Sequence, residues 1–312
     1  MADTFRTHPG FPRLHITSLS YDVCMPKTVL CESREIEVWS GFEGAIRELS
    51  CEQEKRANEH GPQLPELLFR GLGNSEWGLE TTLERSYPLE RCDDTSSLRT
   101  YYQKTRTAKP AIETLGGRRF ETVPTVPEFN QLLSDNASLW LEIVLFEKPQ
   151  IYEYFVYLRH HGFPSPLLDW TASPYVAAFF AFDSPPKEAK SVCVCALSRD
   201  SGSSGSSDAH MWVIGQYMVS HPRHLLQQCQ YSMCVAMDPA NKDYIFRPQE
   251  SGLAGAVGPK GALSRIIIPA TERATALRQL DLMNINAFSL FGSEDSLVRT
   301  VARRELLFRD WS

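Results

Sequence analysis

This 312-residue chain has few of the features that assign a protein quickly. Its longest apolar runs, residues 175–182 and 266–268, fall far short of the about 20 residues that span a bilayer. The first eight residues, Met1 to His8, lack the apolar stretch of a signal peptide. Together these predict a cytoplasmic protein with no membrane partner. There is no excess of positive charge, since 32 Lys and Arg stand against 38 Asp and Glu for a formal net charge of -6. Charge therefore does not indicate nucleic acid as a partner. The eight cysteines (Cys24, Cys31, Cys51, Cys92, Cys193, Cys195, Cys229 and Cys234) form no paired C-x-x-C units and no zinc spacing, so no metal is expected. Scattered thiols without a secretion signal predict reduced cysteines. A Gly-x-Ser-x-Gly elbow is missing, which argues against a serine hydrolase of that kind, and no repeat is visible. What remains is an ordinary globular composition, 42% hydrophobic and 22% charged, with enough length for a large core.

Along the chain, residues 1–34 read as an arm and 35–312 as the globular part. Residues 35–38 read as a short strand. Ser40 is placed to cap a helix over 41–59, with Phe42, Ile46 and Leu49 on one face. Residues 66–70 form a buried strand that ends in Arg70-Gly71, with Gly73 and Trp77 close behind. A mainly helical insertion follows over about 83–159, with helices expected at 96–107, 126–133, 138–147 and 150–159 and a loop at 108–125. Residues 191–197 alternate as a strand. Residues 201–207, Ser-Gly-Ser-Ser-Gly-Ser-Ser, predict a flexible loop. Strands are expected at 211–215, 231–237 and 265–268. Residues 223–230 are short and polar, and Arg223, His224, Gln227 and Gln228 there either line a polar pocket or belong to a solvated helix. Thr271 is placed to cap a further helix, 287–290 reads as a strand, and 295–308 as a final helix. The pattern predicts α+β: a mixed or antiparallel central sheet of short strands with a mainly helical insertion.

The chemistry concentrates in residues 160–181. Gly162, Pro164 and Pro166 make a loop, 167–170 is a short apolar run, and Thr171 or Ser173 can cap a helix starting near Pro174. Polar groups thus gather at a loop and a helix start between buried walls. Each has two readings. Arg70 either holds a ligand or pairs with a buried carboxylate such as Asp169. Asp169 is a general base or that structural partner. His160 and His161 bind phosphate or shuttle protons, or are hydrogen-bonded loop histidines. Trp77, Trp170 and the Arg and His groups can wall a pocket for a nucleotide, a nucleic acid or a protein end without turnover. Glu294 is either a catalytic carboxylate or a first-turn helix residue favoured by the macrodipole.

Phe69-Arg70-Gly71, Trp77, the block from His160-His161-Gly162 through Leu167-Leu168-Asp169-Trp170-Thr171-Ala172-Ser173-Pro174 to Ala181, and the closing segment Phe288-Ser-Leu-Phe291-Gly-Ser-Glu294 resemble the FRG domain. The resemblance spans roughly residues 35–308. Ser165-Pro166 stands where many members carry Thr-Arg, so no role of that Arg transfers. A looser similarity links the chain to mono-ADP-ribosyltransferases of the Arg-Ser-Glu type, through Arg70-Gly71, through Thr171 and Ser173 before an Ala-rich helix, and through Glu294. The characteristic Glu/Gln-x-Glu element is lacking. That similarity implies NAD as a substrate, with Arg70, Thr171 and Glu294 as catalytic residues. Gly71, Trp77, His160, His161, Asp169, Trp170 and Ser173 would form the binding wall. The implied activity is NAD-dependent transfer to a macromolecular target or NAD cleavage, as a toxin-like or phage-defence effector.

Overall fold

A computed structural model of the chain describes residues 31–60, 66–87, 97–135, 148–198, 209–215, 222–238, 240–253 and 263–308. The arm over 1–30, the helix expected at 138–147 and the Ser/Gly loop at 201–207 lie outside them. The strands are β1 (Cys31–Glu35), β2 (Leu67–Leu72), β3 (Leu168–Thr171), β4 (Ser191–Ser198), β5 (Ala209–Ile214), β6 (Cys229–Asp238), β7 (Asp243–Phe246) and β8 (Leu263–Pro269). They form one sheet in the order β1-β8-β4-β2-β3-β6-β5, with β7 also paired to β6. Only β1 and β8 run parallel; the other pairs are antiparallel. The fold is α+β with a mixed sheet, as the sequence predicts.

The described helices are α1 (Phe42–His60), α2 (Thr82–Ser86), α3 (Leu98–Gly116), α4 (Val126–Asp135), α5 (Pro149–His160), α6 (Pro174–Asp183), α7 (Pro222–Leu226), α8 (Gln249–Leu253), α9 (Arg273–Leu282), α10 (Ala287–Phe291) and α11 (Glu294–Leu306). Helices α2 to α5 fall between β2 and β3, where the sequence places its insertion. The alternation read in 191–197 is real, but both faces of β4 are buried. Val192, Val194 and Ala196 join a cluster with α1, α6 and α9, while Cys193, Cys195 and Leu197 join another with Leu68, Leu72, Leu168 and Trp170. A third cluster packs α3, α4 and α5 on Tyr231, Met233 and Val235 of β6. Helix α6 is apolar nearly all round because it is walled in: Val176, Ala177, Ala178, Phe179, Ala181 and Phe182 are all buried. Each large side chain of that kind contributes about 1.5–3 kcal/mol relative to exposure.

Several local expectations are corrected. Residues 287–290 are helical, not a strand. Asn286 caps α10 through a reciprocal bond with Ser289, and Gly292 closes it in the left-handed region at φ 64°. A four-residue apolar run has too little length to separate a strand from a buried helix turn. Helix α3 continues through the expected loop to Gly116 and stops at left-handed Gly117. Pro110 sits on its exposed side, where water can take the carbonyl the proline leaves unpaired. The first strand is Cys31–Glu35 and not 35–38. Thr271 lies in a 3-10 turn, Ala270–Glu272, and caps nothing; α9 starts at Arg273 with no side-chain cap. Residues 222–226 form a helix, and β7 has no counterpart in the sequence reading.

The feature that positions the site is a seam. β2 pairs with β4 over six residues but meets β3 at one pair, Phe69 with Thr171. Past that pair the two strands share no register, and the cleft described below is lined from both.

Candidate functional site

Three consecutive residues of β2 do three different things. Phe69 is buried against α6 and carries the pairing with Thr171. Gly71 lets α6 approach: a Cβ there would lie 2.0 Å from the Ala177 carbonyl oxygen and 2.6 Å from the Ala181 amide. That glycine therefore serves strand–helix packing, and its backbone also borders the cleft. Arg70, between them, lines a cleft of about 390 Å³ at the seam.

Arg70 donates from Nη1 to the backbone carbonyl of Asp169 at 2.7 Å. Its Nε is buried and bonds to no described atom. Burial lowers the guanidinium to about 10; Asp169 opposes that fall, and Arg159 and Arg85 add to it. The group stays charged at neutral pH, and in the described residues no carboxylate forms an ion pair with it. The expected pairing of Arg70 with the Asp169 carboxylate is replaced by a bond to the Asp169 backbone. The carboxylate belongs to Arg159, which reaches it through two bonds, Nη2 to Oδ2 at 2.6 Å and Nε to Oδ1 at 3.2 Å. Burial alone would raise the Asp169 carboxyl, but Arg159, Arg70 and His160 outweigh it and hold the group below the usual carboxylate range.

The other expected residues are tied down to different degrees. Thr171 donates to the Gln227 carbonyl at 2.7 Å and accepts from the Ser173 amide at 3.1 Å. The Ala172 amide donates to the Gln228 carbonyl, and Gln228 is held in the left-handed region at φ 49°. The 227–228 turn is thus strapped to the end of β3. Ser173 caps α6 by accepting from the Val176 amide, and is not part of the cleft wall. Trp170 is 1% exposed and donates its indole N–H to Ser232 Oγ at 2.8 Å, so its ring belongs to the core. His160 Nε2 shares a 2.7 Å hydrogen bond with the buried Tyr231 hydroxyl, whose ionisation burial pushes far up. His161 lies outside the cleft wall, its ring 4.2 Å from that of Tyr157; burial, then Arg223 and Arg118, lower its pKa. Glu294 is exposed in the first turn of α11 and does not line the cleft.

The structure therefore brings together Arg70, Gly71, Trp77, His160, Asp169, Trp170 and Thr171 around one cleft, and leaves out His161, Ser173 and Glu294. Arg223 and Gln227, which the sequence offered as pocket residues, do line it. Sequence reasoning missed Arg85, Arg159, Asp183, Phe180 and Phe291. Arg159 had a signal, a cation at the last turn of the helix that leads into His160. Asp183 had none, because it arrives from the far end of α6; Phe291, on α10, stood in the closing segment that resembles the FRG domain but was not read as a site residue. Asp183 is paired to Arg303 at 2.6 Å and to Arg299 at 3.2 Å.

The wall thus carries four arginines against two aspartates, inside a chain of net negative charge. Such a cleft attracts an anion. Cys229 also lines it, but burial pushes its thiol up to about 12, so it presents no thiolate at neutral pH. Cys51, Cys193, Cys195, Cys229 and Cys234 form no disulfide. In the described residues no cluster of His, Cys, Asp or Glu is arranged to hold a metal, and no helix is long and apolar enough to cross a membrane. Residues 65–190 match the family model described as the FRG domain, a span that holds Arg70, Trp77, Arg159 and Asp169 but stops short of Arg223, Gln227 and Phe291. No curated protein and no solved structure matches the chain.

Proposed function

The chain carries an FRG domain, and we propose that the cleft at its β2–β3 seam binds a phosphate-bearing small molecule. The observation behind this is Arg70, a desolvated cation on the cleft wall that forms no ion pair with a described carboxylate and feels Asp169 only in part, since that carboxylate is held by Arg159. A bound phosphate restores what burial takes from the guanidinium and can be met through two N–H groups at once. Arg85 at the same wall also makes no ion pair to a described carboxylate, and among the described residues its guanidinium donates to the Glu80 carbonyl.

NAD is the first ligand to try, because Arg70 and Thr171 both border the cleft as the transferase similarity requires. The third position of that similarity, Glu294, stands outside, and the hydroxyl of Thr171 is already committed to Gln227. Both aspartates of the wall are paired with arginines. Binding is accordingly the reading this geometry supports best; turnover, and with it a toxin or defence role, needs a carboxylate from another source.

The test is calorimetric titration of the whole chain with inorganic pyrophosphate and with NAD, alongside an assay of nicotinamide release. Arg70→Gln is compared with wild type, with circular dichroism to establish that the variant folds. Saturable binding that disappears in folded Arg70→Gln supports the reading. No binding of either compound by folded wild type removes it. Nicotinamide release that needs Arg70 would return NAD cleavage to the front.

A further inference from the structure

We infer that the ligand of this cleft is a free nucleotide whose base stacks on Trp77 while its phosphates reach inward to Arg70, and that Arg265 is the positioning residue that holds Trp77 in place. This rests on the phosphate-site reading above and adds the rest of the ligand to it.

The aromatic residues of the wall can be sorted by what already covers them. Phe69 and Trp170 are buried in the core. Phe180 meets Phe291 edge to face at 6.0 Å, and Phe291 has the guanidinium groups of Arg223 and Arg299 over its ring at 5.4 and 5.1 Å. Trp77 is different: it is 46% exposed, and among the described residues no ring or guanidinium stacks on it. A large indole left open at the rim of a cationic cleft is the arrangement that receives a planar π-system beside a phosphate chain.

The backbone beneath that indole is tethered from several sides. Ser75 bonds to Ser191 of β4 twice, through its amide to the carbonyl at 2.9 Å and hydroxyl to hydroxyl at 2.7 Å. Arg265 of β8 donates from Nη2 to the carbonyls of both Ser75 and Trp77. The Trp77 amide closes a turn onto the Asn74 carbonyl, and the Leu79 amide donates to Glu250 at 2.7 Å. Gly73 completes the mount: a Cβ there would stand 3.2 Å from Pro185 Cα and 3.5 Å from the Trp77 ring, so the indole rests over bare backbone. A loop fixed in this way has already lost the freedom that a stacking partner would otherwise have to remove on binding. Arg265 does not line the cleft and reaches Trp77 through the two carbonyls it holds. The cleft volume of about 390 Å³ and the negative net charge of the chain favour a free nucleotide over a polynucleotide.

The experiment titrates AMP, NAD, ribose 5-phosphate, inorganic pyrophosphate and a short single-stranded RNA into wild type, Trp77→Leu, Trp77→Phe and Arg265→Gln. Amide hydrogen exchange is followed over residues 73–79. Trp77→Leu is expected to weaken AMP or NAD by about ten- to a hundredfold, the range for one stacked base, and to leave pyrophosphate unchanged. Trp77→Phe should recover most of the loss. Arg265→Gln should weaken the nucleotides, spare pyrophosphate, and speed exchange in 73–79. Nucleotides that bind Trp77→Leu as well as wild type, or no better than ribose 5-phosphate, overturn the inference and leave the phosphate site standing. RNA that binds more tightly than any free nucleotide also overturns it. Unchanged nucleotide affinity and exchange in Arg265→Gln removes Arg265 from its role. If neither pyrophosphate nor any nucleotide binds, the phosphate-site reading falls as well.

Discussion

Asp169 and Asp183 flank the same helix. One lies in β3 just before α6, the other is its last residue, and both border the cleft and pair with arginine. Around Asp183 the charges close on themselves: Arg299 and Arg303 take the carboxylate, and Arg273 and Arg303 take the carbonyl. Three helices, α6, α9 and α11, are fastened there. Around Asp169 one carboxylate faces Arg159, Arg70 and His160, and its carbonyl binds Arg70. Cations outnumber the acid in both clusters. What separates them is where the arginines stand: Arg70 and Arg159 line the cleft, whereas Arg273, Arg299 and Arg303 do not and instead tie helices together.

The comparison is broken most severely by Gly71→Ala, which strikes the helix between both clusters. Its Cβ would overlap the backbone of Ala177 and Ala181, so α6 has to shift. We expect a loss at or beyond the upper end of the about 1–3 kcal/mol that overpacking costs, read by urea denaturation or as failure to express soluble protein. Next is Asp183→Ala, which strands two arginines and should cost about 3 kcal/mol, the low end for a broken buried pair, in the same measurement.

Asp169→Asn sharpens the contrast instead. It removes the acid from the cation-rich cluster, so pyrophosphate should bind more tightly than to wild type, with a salt dependence steeper than the wild-type one. Weaker binding would show that the carboxylate itself contacts the ligand. The same variant carries a pH signature. The folded Asp169 carboxyl titrates below its unfolded value of about 3.9, so its contribution to stability is complete above that pH. It is lost as pH falls through the folded value. The Tm difference between wild type and Asp169→Asn should therefore be constant near neutrality and close only below about pH 4. The smallest effect belongs to Glu294→Gln. Ligand binding should be unchanged, and stability should fall by no more than about 0.3–1 kcal/mol from the lost charge at the start of α11.

How much of this was legible depended on distance along the chain. Arg70, Gly71, Asp169 and Thr171 stood out because motif and loop signals cluster around them, and the cleft brings all four together. Their roles were less legible: the glycine was read toward a ligand and packs a helix, and the aspartate was given to Arg70 and belongs to Arg159. Asp183 carries no local signal, and the closing segment that holds Phe291 pointed to Glu294 instead, since only the packing of α6, α9, α10 and α11 turns Asp183 and Phe291 toward the seam. Glu294 was drawn into the site by reading residues 287–290 as a strand that would deliver it there. The capped helix found instead carries the chain past the cleft. The α+β class survived these slips because it rests on the count and order of elements, not on any one boundary.

The pairing of β1 with β8 also bears on how the molecule is made. Cys31 lies beside Leu263, in the only parallel pairing among the described strands. On a ribosome, β1 waits for all the strands and helices between Glu35 and Leu263 before its partner exists. Contacts so far apart in sequence close slowly. Until they do, the β8 side of β4, which becomes a central strand, is an open edge that can recruit another chain. The yield of folded protein should therefore depend on synthesis rate and temperature more than its final stability would suggest.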